Sequence, residues 1–183
     1  MTTTLQSGKI TATLSTGTAR MLLPAPDVYL DVETDWSRRL TIVGIWSPGS
    51  GLVQLVAPNI TPERVSSALP ATGTLFTFNG HSFDLPLLGR QLGLALRQRF
   101  CSVDLRYLCQ RQGLRGGQKA IEMRIGVQRA LPGLNGRAAL LLWSRWKRGD
   151  AAALATLLAY NAEDLRGLMA IRDHVTLRGP ASH

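Results

Sequence analysis

The stretch Tyr29-Leu30-Asp31-Val32-Glu33-Thr34 constrains the fold more than any other part of this chain. It reads as a buried strand, yet it carries two carboxylates, and an ionised group taken out of water costs several kcal/mol unless it is paired or metal-bound. Side chains alternate along a strand, so Asp31 and Glu33 share one face while Leu30, Val32 and Thr34 share the other. A pair of acids on one face calls for a cation, and two are too few to close a site for a hard metal ion. The strand therefore predicts further carboxylates brought in from distant elements, and Asp84 and Asp164 are the candidates.

At 183 residues the chain suits a single domain with a sizeable core. No apolar run approaches the roughly 20 residues needed to cross a bilayer, and no basic-then-apolar leader opens the sequence, which predicts a soluble, cytoplasmic protein without a membrane partner. Cys101 and Cys109 lack metal-ligand or disulfide spacing and are expected as reduced core residues. The formal charge of +9 is uneven: Arg90–Arg148 holds 13 basic residues against Asp104 and Glu122. A polyanion is the natural partner of such a stretch, which the reading sets apart from the carboxylate elements; base composition of the coding sequence offers a blander origin for the arginines.

Residues 1–26 are expected as an N-terminal extension, hairpin or flexible, residues 27–176 as the domain proper, and residues 177–183 as a tail. Strands are predicted over Val28–Thr34, Leu40–Trp46 and Leu52–Ala57, joined by short turns as an antiparallel meander. Thr61 caps a helix with Pro62 at its first position, running to about Leu69. Leu75–Phe78 is a fourth strand. Phe83, Leu87, Leu88 and Leu92 then recur at helical spacing, which puts Asp84 in a first turn, where the helix dipole favours a carboxylate. A fifth strand over Arg99–Val103 and helices over Leu105–Gln112, Ala120–Ile125 and Ala138–Trp146 follow. Asp150 caps the last helix, Ala151 to His174, on which Tyr160 and Asp164 share a face at i and i+4. The expected class is α/β, with a mixed central sheet of a three-strand antiparallel meander plus parallel strands, flanked by helices.

Asp-x-Glu on the first strand, Asn79-Gly80-His81-Ser82-Phe83-Asp84 at a strand-to-helix turn and Tyr160-Asn161-Ala162-Glu163-Asp164 on a late helix together resemble the three motifs of the DEDD (DnaQ-like) 3′-to-5′ exonuclease superfamily, which has the ribonuclease H-like fold. Tyr160 stands where the tyrosine subclass has its tyrosine; the histidine subclass would place its base at Ala159. Gly126-Val127-Gln128-Arg129, Gly149-Asp150 and Tyr160-Asn161 also look like the YprB-type branch. The resemblance spans Val28 to Val175. Many relatives continue Asp-x-Glu-Thr with Thr-Gly, where this chain has Asp35-Trp36.

The resemblance implies a phosphodiesterase using two divalent ions, Mg²⁺ or Mn²⁺, with Asp31, Glu33, Asp84 and Asp164 as ligands and Asp31 as the bridging one. Hard ions of this kind prefer oxygen donors, in keeping with four carboxylates and no Cys or His cluster. An unperturbed phenol titrates near 10, about three units too high for a base at neutral pH, so Tyr160 is expected to orient water and phosphate by hydrogen bonding. Single-stranded DNA or RNA 3′ ends are the implied substrate, with a polymerase or repair protein as a possible partner. Thr34, Trp36, Asn79 and His81 are the candidate substrate contacts. Each has a bland reading beside it: Trp36 suits base stacking, worth about 1–3 kcal/mol, or the edge of the core, and Asn79 and His81 suit the turn itself. Asp104 reads as a helix cap or a supporting acid, and Asp35 and Glu163 as solvated. A nucleic-acid-binding or polymerase-accessory module with little turnover and a structure-specific endonuclease are the competing functions.

Overall fold

The structure is a computed structural model describing residues 25–177, so the expectations for residues 1–26 and for the tail fall almost wholly outside the described residues. The meander forms as predicted, from β1 (Asp27–Thr34), β2 (Leu40–Ser47) and β3 (Gly51–Val56). Asp35 closes the first turn by accepting from the backbone N–H groups of Ser37 and Arg39 at 2.8 and 2.9 Å. Helix α1 (Pro62–Ala68) opens on the expected cap, with Arg64 N–H donating to Thr61 Oγ1 at 3.3 Å. Strand β4 (Thr74–Thr77) then inserts parallel to β1.

Helix α2 (Asp84–Leu92) ends at Gly93 in the left-handed conformation, φ 69°, a position glycine occupies without strain. The fifth strand is displaced from its expected place: Leu96–Arg99 make one helical turn, α3, and β5 covers Cys101–Asp104, parallel to β4. A single turn is too short for an apolar period to show in sequence. Helices α4 (Leu105–Arg111), α5 (Gln118–Arg124), α6 (Gly136–Trp146) and the long α7 (Ala151–Leu177) complete the chain. Asp104 and Asn135 cap α4 and α6 through Arg106 N–H and Ala138 N–H, and Asp150 accepts from Ala153 N–H at the start of α7.

The sheet order is β3-β2-β1-β4-β5, with the first three strands antiparallel and the last two parallel to β1. Alternation along β1 sorts the two cores. Val28, Leu30 and Val32 pack with Leu85, Leu88 and Val65 on the α1–α2 face. Tyr29 points the other way, into Leu105, Ile121, Leu165 and Leu168 of α4, α5 and α7. A third cluster joins Ile42 to Trp143 of α6 and to Leu157 and Tyr160 of α7. Asp31 and Glu33 thus lie on the side covered by α7. Cys109 is buried as expected, but Cys101 is exposed, because it opens the edge strand β5.

Candidate active site

β1 is the central strand, and it runs on past its last parallel pair with β4, Tyr29–Phe76. The segment Asp31–Thr34 therefore stands at the end of the sheet where β4 has turned away. The N–H of Val32 finds its partner in Asp84, whose Oδ1 accepts it at 3.1 Å. Asp84 can do this because it is the first residue of α2 and is buried. The turn before it is held by Asp104, whose two oxygens accept from Asn79 N–H at 2.8 Å and His81 N–H at 3.1 Å. Asp104 is thus both the cap of α4 and the brace of the Asn79–Asp84 turn.

Helix α7 supplies the third element of the site. Asn161, wholly buried, donates from Nδ2 to Asp31 Oδ2 at 2.8 Å and accepts at Oδ1 from Gln54 Nε2 at 2.9 Å. That approach needs Gly44, which faces Asp31 in the β1–β2 register: a Cβ there would lie 2.8 Å from Asn161 Cγ. One turn of this docking brings Tyr160 and Asp164 over the strand. Asp31, Glu33 and Asp164 each offer a carboxylate oxygen, and these atoms all lie within 4.8 Å of one another. A cleft of about 370 Å³ opens here, lined among others by these three acids, Asp84, Tyr160, Thr34 and Asn79.

The acids suffer from one another and from burial. Asp31 is held well above the usual carboxylate range by burial first and then by the charges of Asp164, Glu33 and Asp84, against the pull of the Asn161 hydrogen bond. Burial and the charge of Asp164 push Glu33 up to about 8, with Lys119 opposing. Asp84 is pushed up to about 7, chiefly by burial, against its hydrogen bond from Val32. Burial also raises Asp164, opposed by Lys119 and Arg129. Clustered acids that resist ionisation, all oxygen donors, in an open cleft, fit a hard divalent cation, which would offset the repulsion. The Tyr160 phenol is raised far above its ordinary value by burial and by the charges of Asp164, Glu33 and Asp31, so at neutral pH it is a hydrogen-bonding group and not a base.

The remaining candidates divide. Thr34 and Asn79 line the cleft; Asn79 is left-handed, φ 61°, and its Oδ1 accepts from Arg106 Nη1 at 2.6 Å. His81 sits outside the cleft lining, with Nε2 2.9 Å from Ser102 Oγ and its ring 6.1 Å from that of Tyr107. Trp36 is 59% exposed, also outside that lining, and its indole N–H donates to Ser144 Oγ of α6 at 3.3 Å. Glu163 corrects the expectation of a solvated acid: it is 9% exposed, and Oε1 accepts from Ala130 N–H at 2.6 Å and Leu131 N–H at 3.3 Å.

The expected separation of acids from the basic stretch also fails locally. Arg129 is a partly buried cation whose Nε lies 2.5 Å and Nη2 2.8 Å from the two oxygens of Glu122, and Nη2 also donates to Asp164. Lys119 donates to the Tyr160 hydroxyl and lies 4.0 Å from the centroid of its ring. Both arrive because α5 packs on α7 at Gly167, where a Cβ would stand 2.6 Å from Glu122 Cδ. Gln118 extends the seam, with Nε2 donating to Asp164 O at 2.7 Å. The sequence names Arg129 and Asn161 within its motifs and holds Lys119 and Arg129 in its basic stretch, but nothing in it set these residues, or Glu122, beside the acids. One signal was present for Lys119, Glu122 and Arg129, since Glu122 is one of two acids in a strongly basic stretch and such an acid invites a buried ion pair.

The fold has solved relatives. The family B DNA polymerase from the hyperthermophilic archaeon Pyrobaculum calidifontis superposes with a TM-score of 0.64 at 16% identity, over 84% of this chain and 25% of that one. The chain thus spans a quarter of that polymerase, and at this identity the likeness is one of fold. Brucella melitensis NrnC bound to pGG matches at 20% identity over 86% and 87% of the two chains, with a TM-score of 0.44. The EXD2 exonuclease domain soaked in Mn and dGMP matches at 19% over 85% and 84%, with a TM-score of 0.37. No curated protein matches. Residues 28–176, which include every element that builds the cleft, match the model of the RNase_H superfamily, and the chain belongs to that family.

Proposed function

We propose that this protein is a metal-dependent 3′-to-5′ exonuclease of the tyrosine subclass, removing nucleoside 5′-monophosphates from single-stranded ends. The observation that carries the reading is the convergence of Asp31, Glu33 and Asp164 from β1 and α7 within 4.8 Å, beside Asp84 and Tyr160 in one cleft. Asp31, Glu33, Asp84 and Asp164 would hold two divalent ions, Mg²⁺ or Mn²⁺. When bound, such ions supply Lewis-acid stabilisation of the charge that develops on the phosphate and on the departing 3′-oxygen.

The protein's own groups do the rest. Asn161 fixes the rotamer of Asp31, and Val32 N–H fixes that of Asp84, so the acids are preorganised rather than gathered by the substrate. Lys119 has only donors to offer, so in its hydrogen bond the Tyr160 oxygen is the acceptor and the phenolic proton is left for another partner. Tyr160 is thereby set to donate to a phosphate oxygen or to the attacking water. Thr34 and Asn79, which line the cleft, would meet the terminal nucleotide, and the exposed arginines of the basic stretch would grip the backbone upstream.

End-labelled single strands of DNA and RNA incubated with Mn²⁺ or Mg²⁺ test this. Stepwise shortening from the 3′ end, abolished by Asp31→Asn and by chelation, is expected. Tight binding without cutting, or internal cuts, would replace the reading with an accessory binding module or an endonuclease.

A further inference from the structure

The two ends of the sheet are not alike. Strand β5 is four residues long, follows Arg99 and closes on Asp104, the short and charged kind of edge that resists pairing. Strand β3, at the other end, is six residues long, Gly51–Val56, with no charge and no proline. Residues 40–62 hold no Asp, Glu, Lys or Arg in a chain that has 21 basic and 12 acidic residues. Residues 151–162 of α7 hold none either, and the two stretches meet where Gln54 Nε2 donates to Leu158 O at 2.8 Å and to Asn161 Oδ1 at 2.9 Å. Leu52 is 45% exposed at this edge, and Leu154 and Leu158, which share the helix face of Asn161, stay half-buried.

The main chain of β3 has an open side. Ala57 N–H donates to Thr41 O at 3.0 Å, and antiparallel strands alternate, so Val53 and Leu55 bond to β2 while Leu52 and Gln54 turn their N–H and C=O groups outward. Val56 O is taken by Asn59 N–H at 2.9 Å, and among the described residues nothing pairs with the main chain of Leu52 or Gln54 on that side. A strand of the same sequence laid antiparallel, with Val53 on the axis, sets Leu52 of each copy against Gln54 of the other and answers these groups. Charge favours the same occupant. Two copies that each carry +9 repel, and they meet at least cost where neither shows a charge and where the arginines of α3 and α4 lie at the far end of the sheet. A polyanion would find no cation on this face.

We propose that the β3 edge is the interface of a two-fold homodimer, with the sheet running unbroken through both copies and Val53 standing beside its counterpart. The Gln54 side chain stays with α7, and through Asn161 it reaches Asp31, so the interface holds the strand that braces the acidic cluster. The dimer does not depend on the nuclease reading.

Sedimentation of the full chain, first stripped of bound polyanion in high salt, tests this. The wild type should sediment at twice the 19.9 kDa of the chain, and the dimer should persist as salt is raised, because an uncharged interface is not screened. Leu52→Lys should sediment as a monomer with the circular dichroism of the wild type, since its ammonium meets water in the single chain and an apolar edge in the pair. Val53→Cys, made together with Cys101→Ser to remove the exposed thiol, should give a disulfide-linked dimer on mild oxidation, because non-hydrogen-bonded partners stand about 4.5 Å apart at Cα. Leu52→Cys in the same background should not, its partner being Gln54. If Leu52→Lys fails to fold, the cross-link decides. A monomeric wild type, a dimer that dissociates as salt rises, a folded Leu52→Lys that remains dimeric, or cross-linking through Leu52→Cys and not Val53→Cys would each overturn the proposal.

Discussion

Replacing Glu33 by glutamine should stabilise the metal-free protein at alkaline pH, although Glu33 is part of the site. Its carboxyl is pushed from 4.5 to about 8 by burial and by the charges of Asp164 and Asp84, with Lys119 opposing. A raised native pKa means the folded state holds the proton more tightly than the unfolded state. The contribution to stability is then full below pH 4.5 and is lost as pH rises through about 8. At 1.36 kcal/mol per unit the ceiling on that loss is about 5 kcal/mol. Glutamine still buries a polar amide, which costs about 1–3 kcal/mol, and it deprives Lys119 of an opposite charge, so about 2 kcal/mol should be recovered. For a chain of this length that is a rise of about 4–8 °C in Tm. Thermal melts of both proteins in chelator from pH 5 to 9 check it: the wild type should lose stability through the window, and the Glu33→Gln curve should be flatter. Parallel curves, or a variant less stable than wild type at pH 9, would refute the account of a cluster in mutual repulsion.

Mn²⁺ should raise the Tm of the wild type by an amount equivalent to about 2.7 kcal/mol at a hundredfold excess over Kd, and the rise should vanish in Asp31→Ala/Asp164→Ala; an equal shift in both proteins would refute the ligand assignment. Asn161→Ala should cost about 1–3 kcal/mol, because it leaves Gln54 and Asp31 each short of a partner, and should weaken Mn²⁺ binding measured by titration calorimetry as Asp31 loses its anchor. Gly167→Ala should cost about 1–3 kcal/mol in urea melts by driving Glu122 and Gln118 away from α7, with activity falling alongside as Lys119 and Arg129 move off the site.

Much of this molecule was legible in its sequence. Asp31 and Glu33 in an otherwise apolar strand, the caps at Thr61, Asp104 and Asp150, and the acid at the start of α2 are local signals with local causes: alternation in a strand, orphan N–H groups at a helix end, and the dipole of its first turn. The three motifs implied which distant acids should meet. The short helix α3 escaped notice because one turn leaves no period, and the burial of Glu163 because a glutamate on a helix face looks the same in sequence whether it meets water or the backbone of residues 130 and 131.

The sequence by itself determined the donor chemistry of the acidic cluster, because residue type sets the hardness of a donor and strand alternation sets which carboxylates stand together. Only the tertiary structure decided what surrounds them. Lys119, Glu122 and Arg129 reach the acids because α5 can close on α7 at Gly167, and Asn161 reaches Asp31 because β2 presents Gly44 beneath it. These are contacts between segments up to 130 residues apart, fixed by the absence of two Cβ atoms at packing surfaces, and no local pattern along the chain encodes which faces will meet.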